Sequence, residues 1–285
     1  FTILGSAFML VAIVAVFLTP DVGTFDVRAL STQGTMLGAG VLLPLGALFW
    51  LFFIGFAIKL PVWPLHTWLP DAHTNAPTAA SVMLAGVLLK MGGYGILRIN
   101  VGMFPGQAQH FAWALVTLGV VSVIYGAIVT LRQTDLRRLI AYSSVSHMGF
   151  VTLGIFCLNQ NGIEGGILQM INHGIITGAL FLCVGMIYER THTRMIDDYG
   201  GLFKTVPIYI VFFTIFSLAA IGFPGMNGFI GEFLIISGAF KANMVIAAFS
   251  ILGVILGASY MVWLYYRVAL NEINPNTKAQ LTDLD

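Results

Sequence analysis

Residues 76–98, which read APTAASVMLAGVLLKMGGYGILR, decide the fold class of this chain. The stretch is apolar over about 20 residues, which is the length of helix that crosses the hydrocarbon core of a membrane. One charged residue, Lys90, lies inside it, well away from both ends. A charge at that depth costs roughly 2.5–3.5 kcal/mol on insertion scales. The stretch therefore predicts a membrane-spanning helix that carries a functional residue.

The composition extends this conclusion to the whole chain. Hydrophobic residues make up 58% of the sequence and charged residues only 9%, which is too apolar for a water-soluble core of this length. The net charge of +1 leaves no basic excess for nucleic acid, so that partner is excluded and a lipid bilayer is expected. Cys157 and Cys183 lie inside apolar segments, and we interpret them as packing thiols.

Apolar runs of similar length recur along the chain. They are continuous rather than alternating, which favours helices over barrel strands. The fold class that follows is an all-α polytopic transmembrane helix bundle, with residues 1–285 forming a single transmembrane domain. We predict eight membrane segments, near residues 1–19, 41–60, 76–98, 111–131, 138–158, 162–188, 206–240 and 243–268.

The basic residues outside the spans favour one orientation. When the segments are threaded back and forth, one side holds eight Lys and Arg residues and the other holds Arg28, Arg98 and Lys241. The positive-inside rule makes the richer side cytoplasmic, or its equivalent, with loops near 61–75, 132–137 and 189–205. The eight residues of that side are Arg132, Arg137, Arg138, Arg190, Arg194, Lys204, Arg267 and Lys278.

Two apolar segments contain a related interruption. Residues 57–61 read AIKLP, and residues 220–224 read AIGFP. Each proline removes a helical hydrogen bond and kinks or breaks the helix. Paired broken helices are typical of transporters built from repeats, so we expect discontinuous helices and inverted internal repeats. Such short matches also arise by chance in apolar sequence.

Five ionisable residues fall inside spans or beside their breaks, and these are Lys59, Lys90, His147, His173 and Glu232. Their functional interpretation is a lateral proton relay, in which buried lysines exchange protons through water and histidines and a carboxylate passes them out. Purely structural interpretations also remain for the histidines and the lysines. A membrane histidine commonly makes an interhelical hydrogen bond, Lys59 could snorkel to the interface, and Lys90 could form a structural ion pair with Glu232.

Other chemistry has weaker support in the sequence. His66 and His73 flank Asp71, but no cysteine or further histidine lies nearby, so we expect no metal site. Gly-rich phosphate loops, haem-binding histidine pairs and iron–sulfur cysteine sets are not found, and no cofactor is expected in this chain.

Residues 135–138, DLRR, could be a topology signal or a functional one.

Three stretches resemble the antiporter-like subunits of respiratory complex I. They are residues 59–78, KLPVWPLHTWLPDAHTNAPT, continuing to Leu88-Leu89-Lys90, residues 135–149, DLRRLIAYSSVSHMG, and residues 222–233, GFPGMNGFIGEF. The third is similar to the members that carry glutamate at the position of Glu232, where sister chains carry lysine. The resemblance covers essentially the whole chain, from about the sixth to the thirteenth of the family's fourteen helices, and implies a fragment of a longer subunit.

The resemblance implies a proton-translocating membrane subunit of a complex I type NADH-quinone oxidoreductase, driven by quinone reduction in other subunits. It implies that Lys59 is the lysine of the first half-channel, Lys90 the connecting lysine, His147 and His173 relay members, and Glu232 the terminal carboxylate. The family's glutamate partner for the first lysine lies on an earlier helix that this sequence does not contain. Lys59 therefore has no identified partner here.

Two rival functions remain at this stage. A cation/proton antiporter subunit would carry similar signatures, although Glu232 in place of lysine argues against it. A membrane anchor would use the polar residues only to hold helices together. Other membrane subunits are the expected partners, and a bacterial inner membrane is the expected location, with thylakoid and mitochondrial inner membranes as alternatives.

Overall fold

A computed structural model describes residues 1–19, 23–32, 42–272 and 281–284 of the chain. Over these ranges the regular elements are helices, joined by turns and one isolated bridge between Asp135 and Met195. The helices are α1 Thr2–Phe17, α2 Val27–Thr32, α3 Leu45–Lys59, α4 Trp68–Asn75, α5 Thr78–Val101, α6 Pro105–Leu131, α7 Leu136–Phe156, α8 Gln160–Thr191, α9 Leu202–Thr205, α10 Pro207–Ile221, α11 Asn227–Ala242 and α12 Met244–Leu270.

The predicted transmembrane bundle is confirmed. Helices α5, α6, α7, α8 and α12 are long and apolar enough to cross a membrane, and α1, α3 and α10 are shorter apolar helices. Seven of the eight predicted segments correspond to one of these helices each. The segment at 206–240 consists of two, α10 and α11. Residue 41 and Lys278, which entered the predictions above, lie outside the described ranges.

Both proline motifs interrupt a helix as expected. Helix α3 ends at Lys59, and α10 ends at Ile221, followed by Gly222 in the left-handed conformation at φ +76°. Helices α4 and α11 follow the two interruptions. The discontinuous helices are therefore present, whereas the inverted relation between the two halves stays a prediction.

Side chains donate hydrogen bonds to backbone carbonyls near these interruptions. The indole nitrogen of Trp68 donates to the carbonyl of Ile58 at 2.8 Å, and the amide of Asn172 donates to the carbonyl of Asn227 at 2.7 Å. Lipid offers no hydrogen bonds, so a broken helix at membrane depth needs such internal partners.

Helix α5 contains two π-helical turns, Leu84–Leu88 and Ile96–Val101, and Lys90 follows the first of them. A π turn holds more residues than an α turn and is frequent at functional sites. After Lys90, glycines allow α3 to approach closely, because a Cβ added at Gly92 would lie 2.7 Å from the backbone nitrogen of Leu60. These glycines therefore serve helix packing.

Helix α7 lies at the centre of the bundle. All of its residues except Arg138 and Tyr142 are buried. It crosses α6 at small residues, since a Cβ at Gly149 would lie 2.7 Å from the backbone nitrogen of Val123 and one at Gly126 would lie 2.7 Å from that of Ser146. Close packing of this kind fixes α7, and with it His147, in the interior.

The buried apolar residues form two main clusters, with a polar layer between them along the helices. On α7, Ile140 and Ala141 belong to one cluster and Met148 to the other. Helices α8 and α12 contribute residues to both clusters in the same way, and α11 contributes Ile235 and Ala239 to the cluster that contains Met148. The polar side chains described below therefore lie deep in the bundle, away from both of its ends.

The three loops predicted to be cytoplasmic meet at one end of the bundle. Buried Arg137 donates to the carbonyl of Ala76 at 2.9 Å and to Thr78 Oγ1 at 3.0 Å. The backbone nitrogen of Leu136 donates to the carbonyl of Arg194 at 2.9 Å. Arg137 is thus a structural link between loops and does more than mark topology.

We expect Asp135→Ala to lower the free energy of unfolding by about 1 kcal/mol. The Asp135 carboxylate caps α7 by accepting from the backbone nitrogens of Arg137 at 2.8 Å and Arg138 at 3.1 Å, which have no partner inside the helix. The measurement is the denaturant unfolding midpoint of the purified protein in detergent. Asp71→Ala is the control, because its ion pair with Arg138 is exposed and worth about 0–1 kcal/mol. Equal losses from the two variants would contradict the capping role.

Candidate functional site

The carboxylate of Glu232 is the centre of the candidate site. Glu232 lies on α11 and is 5% exposed. Its Oε1 accepts from the side-chain nitrogen of Gln169 at 3.1 Å and lies 3.0 Å from His147 Nδ1. Its Oε2 faces the interruption between α10 and α11, since a Cβ added at Gly222 would lie 2.9 Å from that oxygen. The break in the helix therefore leaves room for one carboxylate oxygen, while the other is held by two donors.

His147 lies between Glu232 and a tyrosine. Its Nδ1 contacts the carboxylate, and its Nε2 lies 3.3 Å from the hydroxyl of Tyr260 on α12. Tyr260 is completely buried. Both nitrogens of the His147 ring are thus engaged, and the ring is held from two sides.

Lys90 and His173 form the second half of the site. Lys90 Nζ lies 2.7 Å from His173 Nδ1, and it also donates to the carbonyl of Ala85, which belongs to the π-helical turn before it. The other ring nitrogen of His173, Nε2, is buried and has no hydrogen-bond partner among the described residues. The rings of His173 and His147 form an edge-type contact, with centroids 5.7 Å apart and planes inclined at 60°.

A small cavity separates His173 from Glu232. Its polar lining consists of His147, Gln169, His173, Thr177 and Glu232, and its volume is about 10 Å³. Gln169 Oε1, like His173 Nε2, is buried and unpartnered within the described ranges. A cavity of this volume with several polar partners has the size and lining that one buried water needs.

The structure therefore brings four of the five predicted residues together. Lys90, His173, His147 and Glu232 follow one another through contacts across α5, α8, α7 and α11. The direct ion pair between Lys90 and Glu232 considered above is not formed, because the two histidines lie between them. Lys90 also lines an outward-facing apolar groove of about 480 Å³ between α5 and α8.

Lys59 does not join this arrangement. Its side chain is half-buried at the end of α3, and none of the described residues forms a hydrogen bond or ion pair with it. The neighbouring Ala57 and Leu60 both belong to one apolar cluster. Leu60 packs on Gly92, so the segment that carries Lys59 still contacts the helix of Lys90. The role assigned to Lys59 stays a prediction.

His66 and His73 lie in separate surroundings. His66 packs edge-on against Tyr125 at 5.1 Å, and His73 stacks on Phe181 at 4.4 Å between ring centroids. Both rings are buried, and their nitrogens have no hydrogen-bond partner in the part of the chain that the structure describes. The same part contains no group of three His, Cys, Asp or Glu residues that could hold a metal ion.

Sequence reasoning missed Gln169 and Tyr260. Gln169 could have been found, because it lies four residues before His173 on the same helix and so shares its face. Tyr260 gives no such signal, since it is one of several tyrosines in an apolar helix and only the packing of α12 brings its hydroxyl to His147.

The arrangement can carry protons between buried groups. Imidazole accepts a proton at one nitrogen and releases one from the other, so a histidine in contact with a lysine can transmit a proton without moving. Lys90 and Glu232, at the two ends of this series of contacts, can each hold or release a proton. Such residues inside membrane helices mark proton relays and ion pathways.

Residues 1–257 match the family described as NADH:quinone oxidoreductase/Mrp antiporter, TM. The chain is 49% identical to NADH-quinone oxidoreductase subunit M of Rhodobacter capsulatus over 100% of its own length and 57% of that protein. A chain of respiratory complex I from Thermus thermophilus with bound NADH superposes with a TM-score of 0.87 and 35% identity, covering 95% of this chain and 57% of that one.

A chain of the Mrp complex from Dietzia sp. DQ12-45-1b is also similar in structure. Its TM-score is 0.86 at 26% identity, over 96% of this chain and 50% of that one. The chain thus spans about half the length of the relatives that it matches. Their shared similarity covers the helices that carry the site.

We expect Gly222→Ala to destabilise the protein more than Gly225→Ala. Both glycines have a positive φ, +76° and +98°, where an L residue costs roughly 1–2 kcal/mol. Only at Gly222 would the added Cβ press on Glu232 Oε2, because nothing lies within 4 Å of one at Gly225. Unfolding midpoints of the two variants in detergent measure the difference. A loss at Gly225 as large as that at Gly222 would show that Glu232 does not constrain the break.

Proposed function

Because the chain belongs to the NADH:quinone oxidoreductase/Mrp antiporter family, we propose that it acts as a proton-translocating membrane subunit of a complex I type NADH-quinone oxidoreductase. Quinone reduction in other subunits would drive it. The chain is an integral membrane protein, and its partners in this proposal are other membrane subunits of the same assembly. This subunit would supply no redox centre.

The observation that carries the proposal is the buried series from Lys90 through His173 to the cavity beside Glu232. Lys90 Nζ and His173 Nδ1 are 2.7 Å apart, within hydrogen-bond distance. Four ionisable or titratable groups at mid-depth are costly for a structure that only needs to hold helices together. A series with a cation at one end and a carboxylate at the other is what proton transfer requires.

The proton step that we propose uses the two nitrogens of His173 in turn. The ammonium of Lys90 gives a proton to Nδ1, and the proton on Nε2 leaves into the cavity. One water in the cavity passes it to Glu232, which becomes neutral as Lys90 does. The net result is one proton moved from Lys90 to Glu232. A second proton that arrives from the entry side of the series reloads Lys90, and His173 returns its proton to Nε2 before the next transfer.

Glu232 then connects the series to the interruption beside Gly222. Its Oε2 faces that interruption, where the helical hydrogen-bond ladder is broken. Irregular backbone at membrane depth occurs where it lines a polar cavity or a path for substrate. We propose that the proton leaves Glu232 at this point. Lys59 lies at the other interruption, beside Pro61, and in this proposal it would take up the proton that enters the series.

We expect Lys90→Ala or Glu232→Gln to reduce proton pumping and coupled NADH-driven quinone reduction while the complex still assembles. Each variant removes one end of the series and leaves the helices intact. The measurement is pumping in membrane vesicles, normalised to assembled complex. Lys241→Ala and Glu164→Gln are matched controls, because both side chains are on the surface with hydrogen bonds to Asn161 and Gln160.

The outcomes separate the proposal from its structural rival. Normal pumping in both Lys90→Ala and Glu232→Gln would make the site structural and the proposal wrong. Loss of the complex itself, with the two controls intact, would favour a membrane anchor, because an anchor should lose assembly before it loses pumping.

A second candidate is a cation/proton antiporter subunit, which the similarity to the Mrp complex favours. Its driving force would be an ion gradient instead of quinone reduction. An imposed sodium gradient across vesicles, without NADH, distinguishes the two. Under the complex I proposal we expect no Lys90-dependent proton movement in that assay, whereas proton movement that Lys90→Ala abolishes would favour the antiporter.

A further inference from the structure

We infer that Tyr260 is a positioning residue of the relay, which fixes the proton of His147 on Nδ1 and so holds the Glu232 carboxylate in place. The inference rests on the proposed function. It concerns a residue that belongs to no sequence motif and that forms no hydrogen bond with Lys90 or His173 in the part of the chain that the structure describes.

Tyr260 reaches His147 from the side opposite to Glu232. Its hydroxyl lies 3.3 Å from His147 Nε2, and this is its only side-chain hydrogen bond within the described ranges. The whole residue is buried, although a tyrosine hydroxyl inside an apolar helix has to find a partner. Packing alone would be served equally well by phenylalanine, which has no hydroxyl to satisfy.

The hydrogen bond determines which tautomer His147 adopts. A neutral imidazole has one donor and one acceptor nitrogen, and the partner of one decides the state of the other. A phenol at Nε2 donates more readily than it accepts, so Nε2 is the acceptor and the proton lies on Nδ1. Nδ1 then donates to Glu232 Oε1, which is the arrangement that a carboxylate acceptor needs.

The same reasoning gives His147 a holding role. Both of its nitrogens are occupied, by Tyr260 and by Glu232, so it has no free nitrogen with which to exchange a proton with His173. Gln169 adds a second donor to the same oxygen, Oε1. The oxygen that remains for the transferred proton is Oε2, which faces Gly222. Tyr260, His147 and Gln169 thus orient Glu232, and His173 is the histidine that transmits the proton.

Without the Tyr260 hydroxyl, the His147 ring would be held from one side only, by Glu232. Its Nε2 would be a buried acceptor without a partner, which is unfavourable, and moving the proton to Nε2 would bring an acceptor nitrogen against the Glu232 carboxylate. The carboxylate would then turn away or change its proton affinity. Either change slows the step that loads or unloads Glu232.

The test is Tyr260→Phe, which keeps the ring and removes only the hydroxyl. We expect pumping per assembled complex to fall roughly tenfold, the order of effect that follows from stranding one buried polar group. The matched control is Tyr265→Phe on the same helix, since its hydroxyl lies 2.9 Å from Thr214 Oγ1, away from the site. The control should pump normally.

A double-mutant cycle separates a positioning role from a packing role. If Tyr260 acts through His147, then Tyr260→Phe should have no further effect on pumping when His147→Gln is already present. A merely structural tyrosine would lower assembly and pumping by the same factor in both backgrounds. That additive result would overturn the inference, as would normal pumping in Tyr260→Phe or loss of the assembled complex in Tyr260→Phe alone.

Failure of this inference is distinguishable from failure of the proposed function. If Lys90→Ala and Glu232→Gln abolish pumping but Tyr260→Phe does not, the relay stands and the positioning role is wrong. If Lys90→Ala and Glu232→Gln pump normally, the proposed function fails first, and with it the role of Tyr260 within it.

Discussion

The polar side chains at the centre of this bundle are tolerated there because each forms hydrogen bonds with its neighbours. An unpaired ion in hydrocarbon costs several kcal/mol, and a neutral polar group without a hydrogen bond also costs free energy. Glu232 lies at depth because His147 and Gln169 donate to it, and Lys90 does so because His173 and the carbonyl of Ala85 accept from it. Mutual satisfaction of these groups explains both why the layer is tolerated and why protons could cross it.

The fold makes room for these polar side chains by departing from regular helix at a few positions. Gly222 ends α10 with a left-handed residue, and that turn leaves space for one oxygen of Glu232. Helix α7, in contrast, is continuous, and its small residues pack closely against α6, so that it forms a rigid support for His147. In the proposed relay, irregular backbone thus lies where charge has to move, and close helix packing lies where a ring has to stay in place.

Much of this could be predicted from the sequence, because lipid reduces the possible folds to a few. Span lengths, the breaks at Pro61 and Pro224, and the position of Lys90 inside a span follow from hydropathy and proline chemistry alone. Contacts between helices could not be predicted in this way, since the sequence of an apolar helix carries little information about which of its faces packs against which neighbouring helix. The contact between His147 and Tyr260 therefore depends on the packing of α12, and the role of Lys59, which forms no hydrogen bond with the other four residues in the described structure, stays a prediction.

The π-helical turn at Leu84–Leu88 bears on how such a site could arise during evolution. A π turn accommodates one more residue than an α turn, so it rotates everything after it by about 100° around the helix axis. Lys90 is the second residue after that turn, and its direction toward His173 depends on the rotation. A single inserted codon in such a helix would thus be enough to turn a side chain from the outer face of the bundle toward its interior.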